Sequence, residues 1–140
     1  MADLVVDASV ALKWALDDEE AVAEAVALRD AAVEGHVRLL APTLWIYELA
    51  NGLVSAVRRG RLAAAMGARA LGHLRAIGVE LVDPDPADTY REAQAHGISA
   101  YDAAYVALAR ALAAPLVTGD RPLARAVRGV EVRWIGDRPS

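Results

Sequence analysis

The sequence predicts an α/β domain in which a short, mainly parallel central sheet is flanked by helices on both faces, and three observations predict it. Short β-rich runs alternate with longer helical stretches in the order β-α-α-β-α-α-β-α-α-β-α-β, joined by connections of a few residues. The chain is 56% hydrophobic with only 5% aromatic residues and no Phe, so its core is built from Ala, Val, Leu and Ile, which suit helices packed on a small sheet. Its 140 residues fill one domain and are too few for two, since domains most often run to roughly 100–150 residues. The expected division is a single domain over residues 1–136 and a frayed tail over 137–140, with no linker, repeat or low-complexity tract.

Leu4-Val5-Val6 reads as the first strand, ending at Asp7, and Ser9–Leu16 has the composition of a helix. The acidic run Asp17–Glu20 opens a second helical stretch to about Val33, as acids favour a helix N-terminus, and Gly35 closes it. A strand near Val37–Leu40 leads through Pro42 to a long helix, Thr43–Arg59, that ends in basic residues and Gly60. Arg61–Ile77 carries Leu62, Met66, Leu71 and Leu74 at helical spacing, and Val79–Val82 reads as a strand stopped by Asp83-Pro84-Asp85-Pro86. A helix over Ala87–His96 stops at Gly97, and another runs from Ser99 to about Ala113. Leu116-Val117 is a short strand running into Thr118-Gly119-Asp120, followed by a helix near Leu123–Val127 and a last strand at Val130–Trp134.

Composition removes several classes of function. The chain has no cysteine, which excludes disulfide frameworks, thiol nucleophiles and cysteine-held zinc, and His36, His73 and His96 lie far apart without ligand spacing. No apolar run reaches the roughly 18 residues of a membrane span, and no basic leader precedes the first apolar run. A cytoplasmic protein without membrane contact is expected. The net charge of -4 argues against a surface coated in basic residues. All the basic residues but Lys13 are arginines, whose guanidinium groups fork onto phosphate or carboxylate.

In an open parallel sheet, ligands bind beyond the carboxyl ends of the strands. Asp7 stands at the end of the first strand, Asp120 just after the Leu116-Val117 strand, and Asp102 in the first turn of the helix that feeds it. Each also has a structural reading: Asp102 completes a Ser-x-x-Asp capping box with Ser99, Asp120 precedes a helix with Pro122 in its first turn, and Asp7 can accept amide hydrogens from the next helix. Glu48 lies within the apolar segment Leu44–Ala50, and Asn51 and Ser55 follow it at i+3 and i+7, so that three polar groups share one stripe facing a polar cleft. If the four acids converge they cannot all stay ionised without a counter-charge, which Mg²⁺ or Mn²⁺ would supply to oxygen-only ligands.

Val5-Val6-Asp7-Ala8-Ser9, Glu48-Leu49-Ala50-Asn51, Ser99–Tyr105 and Val117-Thr118-Gly119-Asp120 together resemble a PIN domain, and most of all the VapC-type toxins. The resemblance covers nearly the whole chain in order and spacing. It implies a three-layer α/β/α fold and a Mg²⁺- or Mn²⁺-dependent endoribonuclease, the toxin of a type II toxin–antitoxin pair, with a four-carboxylate site at Asp7, Glu48, Asp102 and Asp120. It further implies that Asp7, Asp102 and Asp120 bind the metal directly or through water while Glu48 orients or deprotonates the attacking water, leaving 5′-phosphate and 3′-hydroxyl ends. Ser9 and Thr118 match hydroxyl positions beside the acids, and Asn51 is carried over with them. The implied partners are structured RNA such as transfer or ribosomal RNA, a cognate antitoxin and a second copy of the chain, for which the helices at 43–59 and 61–77 are the expected interface.

Phosphate needs cationic contacts around an acidic centre. Arg121 and Arg125, with Arg128 at similar spacing, are expected to supply them, and Arg58, Arg59 and Arg61 form a second cluster. A solvated helix face and a helix C-terminus are the structural alternatives for these two groups. Trp14 and Trp45 read as core, His96 as a helix terminus and Asp17–Glu20 as a solvated turn, while Tyr101 and Tyr105 read equally as packing or substrate contacts. Other magnesium-dependent phosphoryl-transfer domains fit less well. A receiver domain needs an acidic pair after the first strand and a late lysine, and a haloacid-dehalogenase phosphatase needs Asp-x-Asp where Asp7-Ala8-Ser9 stands. The remaining alternative is a non-catalytic binding protein that keeps the acidic pocket.

Overall fold

The computed structural model describes residues 1–137. The expected frayed tail therefore falls, after Asp137, outside the described residues. Five parallel strands form one sheet in the order β3-β2-β1-β4-β5. They are β1 (Ala2–Val6), β2 (Val37–Ala41), β3 (Glu80–Leu81), β4 (Leu116–Thr118) and β5 (Val132–Trp134). Around them lie α1 (Ala8–Ala11), α2 (Val22–Val33), α3 (Leu44–Arg58), α4 (Ala64–Ala76), α5 (Pro86–His96), α6 (Ala100–Leu112) and α7 (Arg121–Ala126), with a 3-10 turn at Leu12–Trp14. The layered α/β/α architecture is the one the sequence predicts.

The sheet separates two cores because successive strand side chains point to opposite faces. Val5 joins Trp45, Leu49 and Leu53 of α3 and Tyr105 and Leu108 of α6 on one face. Its neighbours Leu4 and Val6 join Val10, Ala25 of α2, Leu39, Val117 and Ile135 on the other. Trp45 is buried as expected, and the Trp14 indole N–H donates to the Ala25 carbonyl at 2.7 Å, fastening the 3-10 turn to α2. Glu92, buried on α5, accepts from Arg110 of α6, and His96 closes α5 against the Arg128 carbonyl. Among the described residues no helix is long and apolar enough to cross a membrane.

Four elements differ from expectation. The first helix breaks after Ala11 into the 3-10 turn, and α2 starts only at Val22, after Ala21 in the left-handed region at φ 56°. The acids between them form an exposed turn, as expected, but three of them are also paired. Asp18 and Glu19 grip Arg61, Glu19 lies 3.8 Å from the Lys13 ammonium, and Glu20 reaches Arg121 at 3.2 Å. These long-range ion pairs hold the segment in a strap that a helical start at Asp17 would undo. The outer strands β3 and β5 are shorter than expected, for each pairs on one side only.

Candidate active site

Strands β1 and β4 are neighbours, and from them the chain continues toward opposite edges of the sheet, which makes the crevice beyond their carboxyl ends the switch point of the fold. The ladder between them extends past β1, where the Asp7 amide donates to the Val117 carbonyl at 3.0 Å. Asp7 is thereby fixed beside Thr118. The Thr118 and Ser9 hydroxyls both donate to Asp7 Oδ2, at 2.7 and 2.9 Å. In turn Thr118 Oγ1 accepts from the Asp120 amide at 3.0 Å, and Ser9 Oγ from the Gly119 amide at 2.8 Å. Each hydroxyl has one proton, so each relays a backbone N–H onto the carboxylate. Gly119 eases this close approach, since a Cβ there would lie 3.2 Å from Ser9 and 3.1 Å from the Lys13 stem, tight enough that a neighbour would have to shift.

The other three carboxyls come from three helices. Glu48 projects from α3, half-buried, and its Oε1 accepts from the Tyr105 hydroxyl at 2.6 Å. Asp102 lies in the first turn of α6, whose N-cap Ser99 accepts the Asp102 amide at 3.0 Å. Asp120 caps α7, its Oδ1 accepting from the Leu123 amide at 3.2 Å. The structural readings of Asp102 and Asp120 thus hold beside the functional one, because a cap engages only the backbone or one carboxylate oxygen. Asp7 differs, since hydroxyls rather than helix amides hold its side chain.

All four acids line one open cavity of about 520 Å³, together with Ser9, Asn51, Tyr47 and Tyr101. Among the described residues, no basic side chain lines it. Burial pushes the Asp7 carboxyl above its ordinary value against the pull of the two hydroxyls, and the Asp102 charge adds to the rise. Burial also raises Glu48, opposed by the Tyr105 bond and reinforced by Asp7 and Asp102. Asp102 is raised by burial and by Asp120. The four carboxyls therefore share one field of like charge, with Asp102 coupled to each of the others. Among the described residues, no three acidic or histidine side chains are gathered tightly enough to enclose an ion unaided.

Of the remaining expected site residues, Ser9 and Thr118 sit against Asp7, and Asn51 lines the cavity without bonding a carboxylate. Arg121 and Arg125 lie on α7 and do not line it. The Arg121 guanidinium stacks 3.9 Å over the Trp134 ring while it pairs with Glu20. Tyr105 is the residue whose place sequence reasoning left open. It is fully buried, and its three-residue spacing from Asp102 on α6 is the signal that could have placed its hydroxyl toward the same cavity.

Residues 4–129 match the PIN domain family. The chain belongs to that family. Over 118 residues, 84% of this chain and 85% of the relative, it is 41% identical to VapC ribonuclease Mb0985 of Mycobacterium bovis. The solved structure of PAE2754 from Pyrobaculum aerophilum superposes with a TM-score of 0.70 at 28% identity, covering 94% of this chain and 90% of that one. VapBC2 from Rickettsia felis, solved bound to a DNA fragment from its promoter, shares the fold with a TM-score of 0.66 at 13% identity over 94% and 98% of the two chains.

Proposed function

We propose that this PIN-domain protein is a divalent-metal-dependent endoribonuclease, the toxin of a type II toxin–antitoxin pair, which hydrolyses RNA phosphodiester bonds to leave 5′-phosphate and 3′-hydroxyl ends. The observation that carries the reading is the cavity itself: four carboxyls from four parts of the fold, with no basic side chain of the described residues among them to balance their charge. Such a donor set fits a hard cation. Its loose spacing suits Mg²⁺, with Mn²⁺ as substitute, because magnesium keeps several waters and takes only one or two carboxylates directly. Asp7, Asp102 and Asp120 would hold it, directly or through water. The bound ion supplies counter-charge, polarises the phosphoryl oxygens and stabilises the leaving alkoxide.

The chain's own groups do the rest. Thr118 and Ser9 orient Asp7 through Oδ2 and leave Oδ1 outside that network. Tyr105 pins Glu48 through Oε1, which leaves Oε2 outside that bond to accept the proton of the attacking water. A carboxylate whose pKa burial has raised is a stronger base for that role. Attack at phosphorus breaks the bond to the 3′-oxygen, which takes a proton from solvent water and leaves as the hydroxyl. The RNA 2′-hydroxyl takes no part.

The RNA substrate, of the transfer or ribosomal class, and a cognate antitoxin complete the reading, which places the protein in the cytoplasm. A second copy of the chain would pack on α3 and α4, where Val54 and Met66 are exposed around a groove that includes Leu53, Val57 and Leu71. The test is the chemistry of the ends. Total cellular RNA treated with the chain and Mn²⁺ should give fragments with 5′-phosphates, and excess chelator should abolish them. Fragments ending in 5′-hydroxyl and cyclic phosphate would contradict the reading, because they require the 2′-hydroxyl as nucleophile.

A further inference from the structure

Aromatic side chains are scarce in this chain, with four Tyr, three Trp and no Phe. Burial is where such residues contribute most. Yet three of the four tyrosines are exposed: Tyr47 by 76%, Tyr101 by 69% and Tyr90 by 64%. Tyr47 and Tyr101 are not scattered. Each is the residue directly before a site carboxyl, Glu48 on α3 and Asp102 on α6, and both line the carboxylate cavity at its mouth.

That cavity poses a problem for a polyanion. Nucleic-acid affinity normally comes from Lys and Arg on phosphates, but among the described residues no basic side chain lines this cavity. The cations beside it face other carboxylates: Lys13, whose stem lies against Gly119, faces Glu19 at 3.8 Å, and Arg121 pairs with Glu20 and stacks on the Trp134 ring. A nucleotide held here needs another source of binding energy close to the acids. Base–aromatic stacking provides one that is indifferent to charge, since every unpaired base has a π-face.

We propose that Tyr47 and Tyr101 form a stacking platform at the cavity mouth for unpaired nucleobases of single-stranded RNA flanking the scissile phosphate. The proposal rests on the ribonuclease reading and deepens it. It commits the site to RNA that is single-stranded at the cleavage point, a loop or an unpaired stretch within a folded molecule. Ring faces, rather than the phenolic hydroxyls, carry the contact.

The test uses the Asp7→Asn protein, which should bind RNA without consuming it. The probe is a mixed-sequence single-stranded RNA of about 12 nucleotides, a length within the span of known single-strand sites, carrying 2-aminopurine at its centre. Alanine at Tyr47 or Tyr101 should weaken binding at least about fivefold and relieve the quenching of 2-aminopurine, in line with the usual loss on removing one stacking ring. Phenylalanine at either position should restore both. Tyr90→Ala, outside the carboxylate cavity, should change neither. The same alanine variants in the Asp7-bearing protein should raise KM for RNA cleavage and leave kcat nearly unchanged.

Alanine variants that bind within twofold of the parent overturn the proposal, as do phenylalanine variants that fail with them. If the unsubstituted chain cleaves total cellular RNA in Mn²⁺ while the alanine variants keep its KM, the platform falls and the ribonuclease reading stands. If that chain neither binds nor cleaves RNA, the ribonuclease reading falls and takes the platform with it. Unchanged RNA affinity together with loss of a copurifying protein would mark the two rings as a protein-docking feature, which also overturns the proposal.

Discussion

The Tyr105 hydroxyl donates a 2.6 Å hydrogen bond to Glu48 Oε1 and so ties α6 to α3 beneath the carboxylate cavity. Tyr105 is wholly buried, and burial, with the neighbouring Asp7 and Glu48 charges, pushes its hydroxyl far above the ordinary value, so it stays a proton donor at every working pH. Tyr105→Phe keeps the ring that fills the core and removes the one bond that favours ionised Glu48. Cleavage should fall about tenfold, the size of one lost positioning bond. The Glu48 pKa should rise further, so the ascending limb of the pH–rate profile should move to higher pH. A rate profile that falls in height without moving would refute the coupling.

Adjacent residues on α3 should separate function from folding. Glu48 faces the cavity and Leu49 is fully buried in the core on the other side. Leu49→Ala should cost about 2–5 kcal/mol of stability by denaturant unfolding, as for other buried leucines. Glu48→Gln should abolish cleavage without lowering the thermal midpoint, because it removes a charge that burial disfavours.

Thr118 has no exposed surface and serves two partners, donating to Asp7 and accepting from the Asp120 amide. Thr118→Val keeps the shape and leaves both without their bond. A loss of about 1–3 kcal/mol in unfolding free energy is expected, the penalty for polar groups left unsatisfied. A value near zero would mean that the relay adds nothing to the fold.

The raised carboxyls make stability depend on pH in a definite direction. Asp7, Glu48 and Asp102 have folded pKa values above the ordinary 3.8 and 4.5, so the folded state binds their protons more tightly than the unfolded chain. Their stabilising effect is complete below those ordinary values and is lost as pH rises through the folded ones. Without divalent ions the thermal midpoint should therefore be lower at about pH 8 than at about pH 5. Mn²⁺ should raise it more at the higher pH, where the carboxylates are free of protons. Asp3 and Asp18, held low by Arg38 and Arg61, act in the opposite sense only below 3.8, outside this window. An ion-free midpoint that does not fall with pH would contradict the shared field of charge.

Much of this was legible in the sequence for a physical reason. Strand–helix alternation and Gly or Pro punctuation act locally, so the order of elements and the placing of Asp7 and Asp120 beyond β1 and β4 followed from the chain itself. Glu48 stood out because a carboxylate in an apolar helix needs partners. What stayed hidden depends on distant residues. The pairings of Asp18, Glu19 and Glu20 reach Arg61 and Arg121, up to about a hundred positions away, and local pattern read those acids as a helix start. Tyr105 read equally as packing or substrate contact, and the structure makes it packing: it is fully buried and bonds a site carboxylate from beneath rather than lining the cavity. Its ring packs in the core and its hydroxyl serves the site.

The central claim is that Asp7 anchors a carboxylate centre that hydrolyses RNA. Its most direct test is cleavage of total cellular RNA in Mn²⁺ by the unsubstituted chain and by Asp7→Asn, with thermal melts run on both. The account predicts discrete fragments from the former, a loss of at least about 100-fold in the latter, as expected on removing a principal charge-stabilising group, and closely matched melts. Full activity in a folded Asp7→Asn protein would contradict it.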